Sequence, residues 1–171
     1  MSLQSVREHF KKFNRDQDIL ESEQSSATVE QAALTLNVIP ARIAKTLSFK
    51  NKEDNAFLVV TAGDAKVDNR KFREQFEVKA KMLNAEEVVE RTGHVIGGVC
   101  PFGLAHNLPV FLDISLKRFT TVFPACGSIN SAIELTCDEL MTYSGAISWV
   151  DVSKDWDEQL IDAQDFDIVN K

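Results

Sequence analysis

A lysine near the start of a short apolar segment is the first residue whose type and position suggest chemistry. Lys45 stands in "IAKTLSF", where Ile43 and Ala44 precede it and apolar Leu47 and Phe49 alternate with polar residues after it. This alternation predicts a half-buried strand, and a lysine on a rigid strand can anchor a phosphate or a carboxylate. Taken alone, the segment is more typical of an edge-strand lysine that discourages aggregation.

A glycine-rich segment, "GHVIGGVCPFGL" (residues 93–104), could bring backbone close to a ligand. Gly97 and Gly98 carry no Cβ atom, and Pro101 fixes the backbone shortly after them. Such a loop can direct consecutive N–H groups at an oxyanion, or carbonyl groups at an amine. A bulged strand that turns a corner is an equally good interpretation of the same residues.

Cys100, in the same segment, is the candidate nucleophile. A reactive thiolate needs a basic neighbour or a helix N-terminus to lower its pKa. His94 and His106 lie six residues away on either side, and this spacing requires no pairing with the thiol. We therefore expect Cys100 to be a small buried hydrophobic residue.

A polar loop between two apolar segments is a further candidate for ligand contact. In "ACGSINSAIEL" the side chains that could hydrogen-bond a small ligand belong to Ser128, Asn130 and Ser131, next to Gly127. The same residue types are common in hairpin loops, so the loop is open to both interpretations. Asp113, inside "VFLDISL", is either a site residue or a structural acceptor for backbone N–H groups.

The composition indicates one globular domain. The chain has 171 residues, of which 44% are hydrophobic and 26% charged, and no apolar run reaches the ~18–20 residues of a membrane span. The three cysteines form neither a disulfide framework nor a zinc-like cluster with the three histidines. No phosphate-binding, dinucleotide, serine-hydrolase or zinc-protease motif is present. We expect a cytoplasmic protein without a cofactor or a metal, and not bound to a membrane.

The net charge of −7 is unevenly distributed along the chain. From Asp151 onward, seven acidic residues against two lysines account for −5 of it. The segment 65–82 is basic instead, with Lys66, Arg70 and Lys71 among six cations. Such a patch is weak evidence for a phosphate-bearing partner, and by itself it is more typical of a solvated helix face.

Local signals predict short helices and strands without regular alternation. Helices are expected at 3–13, between the cap Thr28 and Asn37, and at 68–76, 84–93 and 137–145. Strands are expected at 43–49 and 56–62, which form a hairpin, and in "PVFLDISL", "RFTTVFPAC", "AIELT" and "ISWVDV". This order predicts an α+β fold with a mixed, largely antiparallel curved sheet surrounded by short helices. We expect one domain over 1–152, which includes the helix 3–13, and an acidic tail over 153–171.

The order of these segments resembles the YbaK/prolyl-tRNA synthetase-associated editing domains. The resemblance covers about residues 28–152 and rests on K-T-L-x-F at 45–49, G-x-x-x-P-F-G at 97–103 and A-x-G-S at 125–128. Members of this family hydrolyse mischarged aminoacyl-tRNAs in trans, using a bound water or a group of the substrate rather than an enzyme nucleophile. This agrees with the missing nucleophile motifs, because an activated ester needs mainly positioning and oxyanion stabilisation.

The resemblance implies roles for individual residues. Lys45 would hold the terminal adenosine or its phosphate, and the backbone of Gly97, Gly98 and Pro101 would contact the aminoacyl ester. The substrate-binding residues that it implies are Thr28, Cys100, Phe102, Gly127, Ser128, Asn130 and Ser131. Contacts with the tRNA are expected from Lys66, Arg70 and Lys71.

We therefore expect a trans-acting aminoacyl-tRNA deacylase that binds the tRNA acceptor end and removes a small amino acid. Residues 19–27 lack the aromatic residues of the cysteine-specific branch, and residues 128–131 lack its arginine. Alanyl, seryl, threonyl and other small groups all stay open as substrates. Recruitment of an aminoacyl-tRNA synthetase also stays open. The alternative is a non-catalytic module of the same fold that binds tRNA or a synthetase.

Overall fold

The fold is built around the hairpin that the sequence predicts. The computed structural model describes residues 2–161, in which β2 (Ile43–Lys50) and β3 (Ala56–Ala62) pair antiparallel over seven residue pairs. A polar turn joins the two strands, and the Asn51 side chain accepts hydrogen bonds from the Glu53 and Asn55 N–H groups. The alternating apolar residues of both strands are buried on the two faces of the sheet.

Among the described residues, five α-helices surround this hairpin, and local capping explains where four of them begin and end. Three begin with a capping box at Thr28, Asn84 or Thr136, and one begins at Asp68, whose carboxylate accepts two backbone N–H groups. Their C-caps, at Asn37, Glu77, Gly93 and Gly145, adopt the left-handed conformation. The helices are α1 (Ser2–Lys11), α2 (Val29–Leu36), α3 (Asn69–Phe76), α4 (Ala85–Thr92) and α5 (Cys137–Ser144).

The remaining strands are short. They are β1 (Leu20–Glu21), β4 (Lys66–Val67), β5 (Val110–Asp113), β6 (Thr121–Pro124), β7 (Ser131–Ala132), β8 (Leu135–Thr136), β9 (Ser148–Val150) and β10 (Ser153–Lys154). Six strands form one sheet in the order β8-β6-β2-β3-β5-β9, in which β2/β6, β3/β5 and β5/β9 are parallel and β2/β3 and β6/β8 antiparallel. Two antiparallel ladders, β1/β7 and β10/β4, lie beside it. The predicted α+β fold with a mixed sheet is confirmed.

Each face of the sheet carries its own core. On one face α1 packs its Val6 and Phe10 against Phe102 and the aliphatic residues of β3 and β5. On the other face Phe72 of α3 packs against Phe49 and Phe57. A smaller cluster joins α2 to β2 and β6. Burial of these large apolar side chains fixes the helices on the sheet.

Some elements differ from the prediction because of pairing that is distant in sequence. The strand expected at "AIELT" is divided, since β7 pairs with β1 while β8 pairs with β6. The helix expected at 3–13 ends at Lys11, and Asn14 then adopts a left-handed φ of 57°. Asp113 is a structural acceptor: its buried carboxylate accepts from the N–H groups of Ser115 and Val152 and from the Ser153 hydroxyl.

The chain continues past Val152 into β10, and the Trp156 indole N–H donates to the Ser153 Oγ at 2.9 Å. The predicted division into a domain over 1–152 and a tail over 153–171 stays a prediction, and residues 162–171 of that tail lie outside the described residues. Within residues 2–161, no helix has the length and apolar character needed to cross a membrane.

Candidate active site

A cleft opens where the edge of β2 is left without a neighbouring strand. Strand β6 pairs with β2 only at Ile43 and Ala44, whereas residues 81–83 join the same edge from Ser48 onward. Thr46 lies in the gap between these two partners. A cleft of about 290 Å³ occupies this gap, with α2 on one side and the glycine-rich loop on the other.

The wall of the cleft is mostly apolar. Alanine and larger aliphatic side chains from α2, β2 and the glycine-rich loop line it, together with Phe123 of β6. Lys45 is the only charged residue among the described residues that line it, and these include no cysteine, histidine or carboxylate. The polar groups on the wall belong to Ser26, Thr28, Lys45, Thr46, Ser48 and Ser131.

Lys45 holds its ammonium against backbone carbonyl groups. Its Nζ donates to the Ala65 carbonyl at 2.5 Å and lies 3.5 Å from the Gly63 carbonyl. Burial lowers the pKa of Lys45, while the nearby carboxylates of Asp64 and Glu30 oppose this shift. A desolvated ammonium with spare donor capacity binds an anionic or carbonyl oxygen more strongly than a solvated one.

The turn that accepts Lys45 is itself tightly packed. A Cβ atom at Gly63 would lie 2.0 Å from the Pro40 carbonyl oxygen and 2.8 Å from a methyl group of Val29. Only glycine therefore allows the turn to approach the start of α2 this closely. The local sequence gives no sign that the carbonyl groups of Gly63 and Ala65 hold the lysine.

The sequence did not single out Thr46 as a candidate site residue. Its Oγ1 is buried and has no hydrogen-bond partner among the described residues. A buried hydroxyl without a partner costs about 1–3 kcal/mol, so a polar ligand atom at this point would be favoured. Thr46 follows Lys45 directly, and the strand period alone would have placed Thr46 and Ser48 on one face of β2.

The glycine-rich loop contributes to the cleft through part of its length. Gly97 lines the cleft with a φ of 89°, and a Cβ atom there would lie 2.9 Å from the Ala27 Cβ. The Gly98 N–H donates to the Val95 carbonyl at 2.9 Å and so is already engaged. Pro101 is buried and lies outside the set of residues that line the cleft, whereas Val99, which the sequence did not single out, belongs to it.

Cys100 and Phe102 are fully buried in the main core and lie outside the cleft lining. The Cys100 Sγ lies 3.5 Å from the Nε2 of buried His94, which contacts the Phe102 carbonyl at 2.7 Å. Burial raises the pKa of Cys100 to about 12 and lowers the pKa of His94. The thiol is therefore neutral near pH 7, which does not suit a nucleophile.

The polar loop packs against the glycine-rich loop and presents one residue to the cleft. Ser131 lines the cleft, and its Oγ accepts a hydrogen bond from the Ser128 hydroxyl at 2.6 Å. Asn130 instead donates to the Ser22 carbonyl at 2.8 Å. Gly127 has a φ of 92°, and its carbonyl accepts from the Ser2 hydroxyl. Loop residues other than Ser131 therefore hold the loop in place.

Thr28 begins α2 and also lines the cleft. Its Oγ1 accepts from the Gln31 N–H at 3.1 Å, so the hydroxyl already has a structural role. Of the predicted site residues, the cleft thus brings together Thr28, Lys45, Gly97 and Ser131.

The predicted tRNA-binding residues lie on β4 and α3. Lys71 pairs with Asp151 at 3.0 Å and Arg70 with Glu74 at 3.1 Å. Exposed Lys66 stands opposite Lys154 in the β4/β10 ladder. Lys66 directly follows Ala65, whose carbonyl accepts from the Lys45 ammonium, so this end of the patch lies near Lys45.

The structure is an α+β domain with a small, mostly apolar cleft. Among the described residues that line this cleft, the one charged side chain is that of Lys45 on β2. A family model described as "Aminoacyl-tRNA editing domain" matches residues 23–143, and the chain belongs to this family. The resemblance to the YbaK/prolyl-tRNA synthetase-associated editing domains is thereby confirmed.

Relatives of the chain extend along most of its length. The Bacillus subtilis (strain 168) protein YwhH is 62% identical over 157 residues, which are 92% of this chain and 100% of that protein. EbsC of Enterococcus faecalis, named as a candidate Cys-tRNA(Pro)/Cys-tRNA(Cys) deacylase, is 23% identical over 67% of this chain and 71% of its own. A proline–tRNA ligase of Bacillus licheniformis is 34% identical over 54% of this chain, which corresponds to 16% of the ligase.

A solved structure has the same fold. It is described as a candidate trans-editing enzyme for prolyl tRNA synthetase, and it is 27% identical with a TM-score of 0.80. The match covers 90% of this chain and 97% of that one. The chain is thus similar both to free-standing editing proteins and to a segment of prolyl-tRNA ligases.

Proposed function

We propose that this chain is a trans-acting deacylase that hydrolyses the ester of a mischarged tRNA carrying a small, uncharged amino acid. The observation that carries the proposal is the half-buried Lys45 ammonium in an otherwise uncharged cleft. Membership of the editing-domain family and the names of its relatives support the same activity.

Lys45 would hold the sugar-phosphate end of the terminal adenosine and so place the ester beside Gly97. Backbone at Gly97 would contact the ester, because no side chain stands between it and the cleft. Water would attack the ester carbonyl, with assistance from a group of the substrate. The described cleft residues offer no cysteine, histidine or carboxylate to act as nucleophile or base, so positioning has to supply the rate enhancement.

The buried Thr46 hydroxyl and Ser131 would contact the aminoacyl group. At about 290 Å³ the cleft has the volume of a small ligand pocket, which suits a small aminoacyl end rather than a whole nucleotide. Its alanine-rich wall suits an uncharged side chain. The names of the relatives make tRNA(Pro) the first tRNA to test and prolyl-tRNA synthetase the first candidate partner, in the reducing cytoplasm that free cysteines favour.

The test is a panel of tRNAs mischarged with alanine, serine, threonine or cysteine, including tRNA(Pro). We expect the wild-type protein to deacylate at least one of them above the spontaneous rate. The variant Lys45→Ala is expected to lose this activity while its circular dichroism and thermal unfolding stay near wild type. Lys52→Ala, an exposed lysine in the β2–β3 turn, is the matched control.

Two results would contradict the proposal. If Lys45→Ala deacylates at the wild-type rate, Lys45 is not part of the active site. Binding of tRNA without hydrolysis across the whole panel would favour the non-catalytic module instead.

A further inference from the structure

Arg118 is a buried arginine beneath the turn that receives Lys45. Its side chain is only 5% exposed, and it forms a two-pronged ion pair with Asp64, with N–O distances of 2.6 and 2.9 Å. The same guanidinium donates to the carbonyl groups of Ser115 and Asp157, at 2.8 and 3.1 Å. A planar guanidinium held by four acceptors fixes the position of each of them.

Two aromatic rings enclose this guanidinium. Its central carbon lies 4.9 Å from the Phe119 ring centre and 4.8 Å from that of Trp156. Trp156 is tied in turn to Ser153, whose hydroxyl donates to the buried carboxylate of Asp113. Arg118 therefore links the turn after β3 to the segment that follows β10.

The turn that Arg118 fixes is the one that holds the Lys45 ammonium. Asp64 stands between Gly63 and Ala65, whose carbonyl oxygens face the Lys45 Nζ. The charged groups around this ammonium are Asp64 in the turn, Glu30 on α2 and Lys66 on β4. An arrangement that fixes Asp64 thus fixes both the carbonyl partners and one counter-charge of the lysine.

We propose that the ion pair between the buried Arg118 side chain and the half-buried Asp64, covered by Trp156, is a positioning device for the Lys45 ammonium. The C-terminal segment 153–157 is then part of the site's supporting structure rather than an appendage. This inference rests on the proposed function of Lys45, since Arg118 itself does not line the cleft. A shift of the ammonium by about 1 Å is enough to cost a positioned reaction ~100-fold.

The test compares Arg118→Met with Arg118→Lys. Methionine keeps much of the side-chain volume but removes the charge and so leaves Asp64 without its partner, which lowers stability. Because the Asp64 side chain is 25% exposed, water can solvate the freed carboxylate. Lysine keeps the charge but loses the two-pronged pairing and the planar contact with both rings. The matched control is Arg15→Met, because Arg15 also forms ion pairs, in its case with Asp18 and Glu139. Its guanidinium carbon also lies over an aromatic ring, 5.6 Å from the ring centre of Tyr143. Residue 15 does not line the cleft.

The first readout is independent of catalysis. The Lys45 ammonium protons are followed by nuclear magnetic resonance in protein with ¹⁵N-labelled lysine, at low temperature and pH 6, and assigned with Lys45→Arg. We expect their exchange with water to quicken about fivefold or more in Arg118→Met, as for the loss of one ordinary hydrogen bond. The change should be smaller in Arg118→Lys and absent in Arg15→Met.

The second readout is deacylation of the substrate found with the tRNA panel. We expect kcat/KM to fall about 10- to 100-fold in Arg118→Met, measured at a temperature where circular dichroism shows that the variant is folded. Unchanged or slower ammonium exchange in a folded Arg118→Met protein would overturn the proposal. If Arg118→Met does not fold, Arg118→Lys decides by the same criterion. If the wild type deacylates nothing, the proposed function fails. The exchange rate of the Lys45 ammonium protons still decides whether Arg118 positions that ammonium.

Discussion

Gly98 occupies the point at which the two loops beside the cleft touch. A Cβ atom at this position would lie 2.6 Å from the Ser128 backbone nitrogen and 2.7 Å from the Gly127 carbonyl carbon. Both neighbours are backbone atoms, so neither can move aside by a change of rotamer. Gly98 therefore lets one loop lie directly on the other, with Gly97 and Ser131 facing the cleft.

The variant Gly98→Ala should separate these two loops. We expect it to lower the free energy of unfolding by about 1–3 kcal/mol, the usual cost of overpacking, and to lower kcat/KM more than this loss of stability explains. Chemical denaturation and the deacylation assay measure the two effects.

Gly145→Ala is the control for this prediction, since a Cβ atom there meets nothing within 4 Å. Its left-handed φ of 66° costs an alanine about 1–2 kcal/mol at a position distant from the cleft. Activity in Gly145→Ala should stay at the wild-type level. Equal losses of activity in the two variants would show that Gly98 acts only through stability.

At the scale of elements, α2 is the helix that shapes the cleft. Its side chains Val29, Ala32 and Leu36 line one wall, and Thr28 at its start does so as well. Thr28 and Gln31 form the capping box, with the Gln31 N–H donating to the Thr28 Oγ1 and the Thr28 N–H to the Gln31 side chain. The Thr28 hydroxyl therefore supplies one of the two hydrogen bonds that hold the first turn of this cleft wall.

Removal of that hydroxyl tests whether the cap or a substrate contact matters at Thr28. We expect Thr28→Ala to cost about 1 kcal/mol of stability and to lower kcat/KM, whereas Thr28→Ser keeps both near wild type. Thr136→Ala removes an equivalent capping box from α5, outside the cleft, so it should cost similar stability without changing activity. If Thr28→Ala changes activity no more than Thr136→Ala does, Thr28 has a capping role alone.

The sequence predicts elements better than it predicts the cleft that lies between them. Helix α3 and strand β3 begin and end as expected, because an Asp cap and a short, nearly continuous apolar run are local signals. The gap along β2 depends on where β6 and residues 81–83 pair with it, which no local pattern encodes. Lys45 and Gly97 were singled out by their residue types, whereas Thr46 lines the cleft because of that gap.

At the scale of the whole molecule, the proposed function requires an acidic protein to bind an acidic polymer. With a net charge of −7, the chain depends on local positive charge near the cleft for any attraction of tRNA. The predicted contacts differ in this respect, because Asp151 already pairs with Lys71 while Lys66 stands opposite Lys154. Like charges placed opposite each other on paired strands repel, and a bound phosphate would relieve that repulsion.

We therefore expect Lys66→Gln to weaken tRNA binding more than Lys71→Gln does. Binding of a tRNA that carries no amino acid is measured by fluorescence anisotropy over a series of salt concentrations. Loss of one phosphate contact should lower the slope of log K against log salt by about 1 in Lys66→Gln. Lys71→Gln should change it less, and Lys52→Gln, in the β2–β3 turn, should not change it. An unchanged slope in Lys66→Gln would show that the tRNA approaches the cleft from another side. An equal fall in Lys71→Gln would show that the ion pair with Asp151 does not keep Lys71 from contacting phosphate.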